Sequence, residues 1–260
     1  MSDPCPSLLR DGLQLRYAVE GVGAPGALFA HGLTGTGRAD WRRMLPVLAP
    51  TRRCVVPDLR GHGRSDYRDD AFRFDAMVAD LLALIAHEHL DRPHLVGFSM
   101  GAELVLALEL RHPGTARSLT LIGASTGCPP DRGGFARTIA DPPEWPQSLQ
   151  RLHDGHHGPE HWRRLFRGIA HTWDERPEWP PERLRQVECP VLIVQGEGET
   201  PYKHRQAQAF VGAARDARLE IVPGADHPVH IQQPERVNAL VHDFLRDVDA
   251  SVATHARSNG

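Results

Sequence analysis

Gly97-Phe98-Ser99-Met100-Gly101 is the stretch on which the reading of this chain turns. It follows a short apolar run, His94–Gly97, and opens a helical pattern from Met100 to about Leu110 that Pro113-Gly114 ends. A tight turn between strand and helix throws its central side chain outward, and flanking glycines let neighbouring backbone approach without Cβ clashes. The free N–H groups at the start of the helix aim at the same point, where the dipole favours negative charge. Ser99 is therefore a candidate nucleophile, and the strand–turn–helix setting gives the G-x-S-x-G pattern its weight. Read without that setting, the same five residues describe a glycine-rich turn with Ser99 capping a helix.

Outward from this turn, short apolar runs alternate with helical patterns, as in a largely parallel sheet. Strands are predicted over Leu13–Val19, Ala27–Ala30, Cys54–Pro57, Leu119–Ile122, Val191–Gln195 and Leu219–Val222, besides the one before Ser99. Helical spacing covers Trp41–Leu48, Ala76–Leu90, Tyr202–Ala214 and Pro234–Val248. Residues 124–187 break the rhythm: they carry Trp145, Trp162, Trp173 and Trp179, many prolines and a histidine cluster, but no strand-like run. An insertion between parallel strands lands above their carboxyl ends, where ligands bind. The expected organisation is an α/β core from residues 1–123 and 188–250, a helical cap over 124–187, and a flexible tail over 251–260.

A serine hydroxyl is a weak nucleophile until a base takes its proton. His227, in Pro223-Gly224-Ala225-Asp226-His227, follows the last predicted strand and can reach Ser99 across the top of the sheet. The acid that holds the imidazole tautomer should follow the preceding strand. Gly196-Glu197-Gly198-Glu199 stands there, so Glu197 and Glu199 are both candidates.

Together with His31-Gly32-Leu33, Asp58-Leu59-Arg60-Gly61-His62-Gly63-Arg64-Ser65 and the Pro223–His230 segment, these residues resemble the α/β-hydrolase fold over roughly Leu13 to Val248. The likeness is to its compact capped branch of esterases, haloperoxidases and meta-cleavage-product hydrolases. It implies an α/β architecture with a mostly parallel eight-stranded sheet, flanking helices and a small helical cap. It implies oxyanion-hole N–H groups on Leu33, after the His-Gly pair, and on Met100, after Ser99. The Leu33 and Met100 side chains would line the pocket. Apart from the resemblance, Trp145, Trp162, Trp173 and Trp179 read first as the cap's own small core, with Trp145 and Trp162 the candidates to face the cleft and line the pocket. By family position Glu199 is favoured over Glu197 as the triad acid, although aspartate is usual there. Asp226 stands where glycine is typical; it acts on the base only if poorly solvated, and otherwise points to solvent. His31 and the Asp58–Ser65 loop look architectural.

The activity implied is that of a serine hydrolase cleaving an ester, thioester or similar carbonyl through a Ser-His-Glu triad. Two alternatives stay open: a lyase or carbon–carbon bond hydrolase of the same fold that uses Ser99 and His227 for proton transfer, and a non-catalytic ligand-binding relative. Haloalkane dehalogenase and epoxide hydrolase chemistry on this fold needs an aspartate where Ser99 stands.

Composition adds bounds. The chain has 260 residues, 40% hydrophobic and 24% charged, with a formal net charge of -3, which suits one globular domain. That balance argues against a dedicated nucleic-acid or anionic-membrane surface. No apolar run approaches the roughly 20 residues that span a bilayer, and no basic segment leads into a hydrophobic one at the start, so a cytoplasmic protein is expected. Cys5, Cys54, Cys128 and Cys189 form no CxxC pair and read as reduced thiols. His153, His156, His157, His161 and His171 follow no zinc-site spacing and read as solvated loop residues. Neither a metal nor a cofactor is expected; the partner is a small-molecule substrate, and no oligomeric state is specified.

Overall fold

The computed structural model describes residues 5–69, 72–127, 137–138, 147–172 and 177–258. Eight strands form one sheet: β1 (Ser7–Arg10), β2 (Leu13–Glu20), β3 (Ala27–Ala30), β4 (Cys54–Pro57), β5 (His94–Phe98), β6 (Ser118–Ile122), β7 (Val191–Gly196) and β8 (Ala217–Val222). Their spatial order is β1-β2-β4-β3-β5-β6-β7-β8. The β1–β2 and β2–β4 pairs are antiparallel and every other pair is parallel. This is the expected mostly parallel eight-stranded α/β sheet.

The central strands β3, β4, β5, β6 and β7 are buried along their whole length, which is why they read as continuous apolar runs rather than as alternation. Helices cover both faces. One core cluster joins Leu28, Leu95 and Leu121 to the helix Phe74–His87 and to the helix Met100–Arg111. The other joins Phe29, Val96 and Leu192 to Trp41 and to Val241 and Phe244 of the long helix Pro234–Ser258.

Several elements differ from the sequence reading, the short helix Val229–Gln232 among them. β1 was not anticipated, because its Ser7–Arg10 run is half-exposed and pairs only with β2. The Trp41–Leu48 spacing resolves into two short helices, Gly37–Trp41 and Leu45–Leu48, the second carrying a proline in its first turn. The terminal helix continues to Ser258, well past Val248. No helix among the described residues is long and apolar enough to cross a membrane.

Between β6 and β7 the chain forms the helices Gln147–His157, His161–Thr172 and Pro181–Leu184. The first two are tied to core loops by imidazoles. His153 Nε2 donates to Thr34 O at 3.1 Å while its Nδ1 accepts from Gly63 N at 3.3 Å; His157 Nε2 donates to Ser65 O at 3.0 Å; His161 Nε2 donates to Gly61 O at 2.9 Å. The solvated-loop reading of the histidine cluster is corrected here. All five lie on helices, and His153 and His161 are buried. Only His156 and His171 are exposed. Pattern alone does not reveal that backbone carbonyls wait to receive these rings. Cys5, Cys54 and Cys189 are free thiols; Cys128 lies outside the described residues.

Candidate active site

Ser99 sits at φ 51 and ψ -118, a left-handed backbone held by the elements on either side. Its N–H donates to Ile122 O at the end of β6 (2.8 Å), and its carbonyl accepts from Ala102 N (3.0 Å) as the helix begins. Met100 and Gly101 precede that first intrahelical donor, so their N–H groups are left to other acceptors. Gly101 packs directly on β3: a Cβ there would lie 2.1 Å from Ala30 O and 2.5 Å from His31 O. Gly101→Ala is accordingly expected to cost about 3 kcal/mol or more, because backbone rather than a yielding side chain is struck. Urea unfolding checks this; a loss under about 1 kcal/mol would show that the elbow can spread.

His227 lies in the loop after β8 with its Nε2 2.9 Å from Ser99 Oγ, and its Nδ1 is 2.6 Å from Glu199 Oε2. The loops after β7 and β8 are laced together. Gly198 N donates to Ala225 O (2.9 Å) and Glu197 N to Val222 O (2.9 Å). Gly196 permits the approach, since a Cβ there would meet Ala225 O and Asp226 O at 2.3 Å. Burial raises the Glu199 carboxyl, but the His227 bond and the Lys203 charge outweigh it and bring the group down to about 2.

Of the two candidate acids, Glu199 is the one at His227. Glu197 is exposed and accepts from Gly224 N at 3.1 Å. Asp226 is exposed and its carboxylate takes a bond from Gln232. Lys203, absent from the sequence reading, stands 3.1 Å from Glu199 Oε2. Its i, i+4 spacing from Glu199 was the available signal.

The loop after β3 supplies the other wall. His31 is buried; its Nδ1 donates to Gly32 O (2.7 Å) and its Nε2 accepts from Leu59 N (2.9 Å). Asp40 accepts from Gly32 N at 2.8 Å, and burial raises its carboxyl to about 7 against that bond. His62 Nε2 donates to Leu33 O at 2.9 Å. The peptide planes around Leu33 are thus fixed from both sides. Leu33 and Met100 are both buried and belong to the first core cluster.

Trp162 does not line an open cleft. It is 1% exposed and packs edge-on against Phe166, in a cluster with Leu165 and Ile169. Its ring fills the interior of the helical insertion, since a large apolar side chain on a short amphipathic helix is needed there first. Trp145 lies outside the described residues.

A hydroxyl, an imidazole and a buried carboxylate in series, at the carboxyl edge of such a sheet, define an enzyme of the α/β-hydrolase fold. The family profile described as Alpha/beta hydrolase family matches residues 27–240, and the chain belongs to that family. It is similar to the Serine hydrolase BPHL of Mus musculus, 26% identical over 249 residues that cover 91% of this chain and 84% of the relative. It is also similar to 2-hydroxymuconate semialdehyde hydrolase of Pseudomonas sp. (strain CF600), 24% identical with 94% of each chain covered. Among solved structures, a thermophilic esterase from Thermogutta terrifontis superposes with a TM-score of 0.80 at 21% identity, covering 95% of this chain and 99% of that one.

Proposed function

We propose that the protein is a serine hydrolase that cleaves an ester, thioester or similar carbonyl of a small molecule through Ser99, His227 and Glu199. The observation that carries this reading is the continuous contact from Ser99 Oγ to His227 Nε2 (2.9 Å) and from Nδ1 to Glu199 Oε2 (2.6 Å). Ser99 Oγ attacks the carbonyl carbon as His227 Nε2 takes its proton. The Leu33 and Met100 N–H groups receive the oxyanion. Collapse of the adduct expels the leaving group with the proton from His227, and water then removes the acyl group by the same route in reverse. Glu199 holds Nδ1–H, so that Nε2 presents its lone pair to the serine. Cap helices over 124–187 would close the substrate side, seated by the imidazole-to-carbonyl bonds of His153, His157 and His161.

The test is covalent labelling. A fluorophosphonate is expected to mark Ser99, and Ser99→Ala is expected to lose both labelling and about 10⁴-fold or more of ester turnover. Turnover undiminished in that variant would sink the proposal. The likeness to a 2-hydroxymuconate semialdehyde hydrolase along 94% of each chain favours a second reading, in which Ser99 and His227 move protons during carbon–carbon cleavage. Mass-spectrometric capture of an acyl-Ser99 adduct with a slow ester favours the first reading; its absence during steady turnover of a diketone favours the second.

A further inference from the structure

A cation stands against the acid end of this array. Lys203 Nζ lies 3.1 Å from Glu199 Oε2, 3.0 Å from His227 Nδ1 and 3.3 Å from Gly123 O. Its side chain is 21% exposed, beside a Glu199 carboxylate only 4% exposed. The lysine backbone is itself held. Its N–H donates to the Thr200 hydroxyl that caps the helix Pro201–Ala213, and its carbonyl accepts from Nε2 of Gln195, a buried residue at the end of β7.

The geometry has one consistent proton assignment. With Nδ1 protonated and donating to Oε2, the imidazole and the ammonium are two donors sharing one carboxylate oxygen. Their 3.0 Å approach is then imposed by that common acceptor and is not a bond between them. A second ammonium hydrogen reaches Gly123 O. Gly123 has φ +58, and a Cβ on it would lie 3.0 Å from the His227 ring. Lys203 thereby joins the loops that follow β6, β7 and β8.

A glutamate carries one more rotatable bond than an aspartate, and a carboxylate with a single partner can swing about it. Thr200 N offers the other oxygen only a 3.3 Å contact. The ammonium restrains the oxygen that meets the imidazole.

We propose that Lys203 is a positioning residue of the triad: its ammonium pins the Glu199 carboxylate where it can hold His227 in the base-ready orientation, so that Ser99 reactivity depends on a cation outside the three-residue array. The inference rests on the serine-hydrolase reading. Its test is the second-order rate at which a small fluorophosphonate labels Ser99, a reaction in which Oγ bonds to phosphorus, fluoride leaves and the serine proton passes to His227. This rate needs no knowledge of the natural substrate. Lys203→Met and Lys203→Gln, each checked for an unaltered melting transition, are expected to label at least about tenfold more slowly. In a Glu199→Gln background the same lysine changes are expected to cost less than about threefold more, because two residues acting through one contact are not additive.

Less than a tenfold loss in a folded lysine variant would overturn the role of Lys203, and so would an equal loss in the Glu199→Gln background. Failure of the unsubstituted protein to label at Ser99 would instead overturn the serine-hydrolase reading beneath it.

Discussion

Glu199→Gln is expected to lower kcat by about 10³- to 10⁴-fold while leaving KM within a few-fold of its starting value. The substitution keeps the length and nearly the volume of the side chain, so the buried site is neither emptied nor overfilled. What changes is the partner of His227 Nδ1, now 2.6 Å from an oxygen of a charged carboxylate. A neutral amide can turn its NH2 toward that nitrogen and stabilise the tautomer in which Nε2 already bears a proton. In that tautomer the imidazole cannot accept from Ser99. The amide also fails to balance the imidazolium that forms as the serine attacks. The first loss withdraws the base-ready imidazole from free and substrate-bound enzyme alike and the second falls on the transition state, so kcat carries the effect while KM changes little.

Glu197→Gln is the matched control. It removes an exposed carboxylate that accepts from Gly224 N and should leave kcat within about twofold of the parent, since exposed polar contacts contribute little. Stopped assays of both variants, with the melting transition recorded alongside, decide between the two acids. Equal losses in both would mean that the loop, and not the Glu199 carboxylate, is what matters.

The two acids show where the sequence was informative. The order serine, acid, histidine was legible because each residue follows a strand, and the strands were legible because parallel ones are buried on both faces and read as runs such as Val191–Gln195. β1 escaped because a half-exposed edge strand of four residues has no such run. The split between Gly37–Trp41 and Leu45–Leu48 escaped because one helical period fits both pieces. Where the structure departed furthest was in polar groups whose burial depends on distant partners. His153 is 90 residues from the Gly63 N–H it accepts, and no local pattern encodes that contact. Lys203 is of the same kind, although its spacing from Glu199 hinted at it. Trp162 shows the converse: an aromatic residue in an insertion suits either a small core or a cleft wall, and its burial against Phe166 puts it in the core.

Lowering the pH from 7 to 5 is expected to lower the melting temperature by about 10 °C or more, as buried neutral histidines come under pressure to protonate. Burial lowers His62 to about 4, His153 to about 3 and His230 to about 3, and it holds His31 well below the ordinary imidazole value. In the unfolded chain these rings return to about 6.5. Between the two values the unfolded state binds the extra protons, so the stability is complete above about pH 6.5 and drains away as pH falls toward the folded values. Each ring costs about 1.4 kcal/mol per pH unit over that span. Asp40, raised by burial to about 7, works in the opposite sense, as do Asp58, Asp80 and Glu109, also raised by burial. The net loss is on the order of 2–4 kcal/mol per pH unit, set against a total near 5–15 kcal/mol. His153→Gln tests the attribution, because its amide can still donate to Thr34 O but takes up no proton. Urea titrations at several pH values should show its stability falling less steeply by about 1.4 kcal/mol per pH unit. A slope equal to that of the parent would exclude His153 from the acid response. A melting temperature flat between pH 7 and pH 5 would exclude the histidines as a group. The bonds of His153, His157 and His161 to the Thr34, Ser65 and Gly61 carbonyls keep their Nε2–H donors when the rings protonate, so the contact that acid ends is the one in which His153 Nδ1 accepts from Gly63 N.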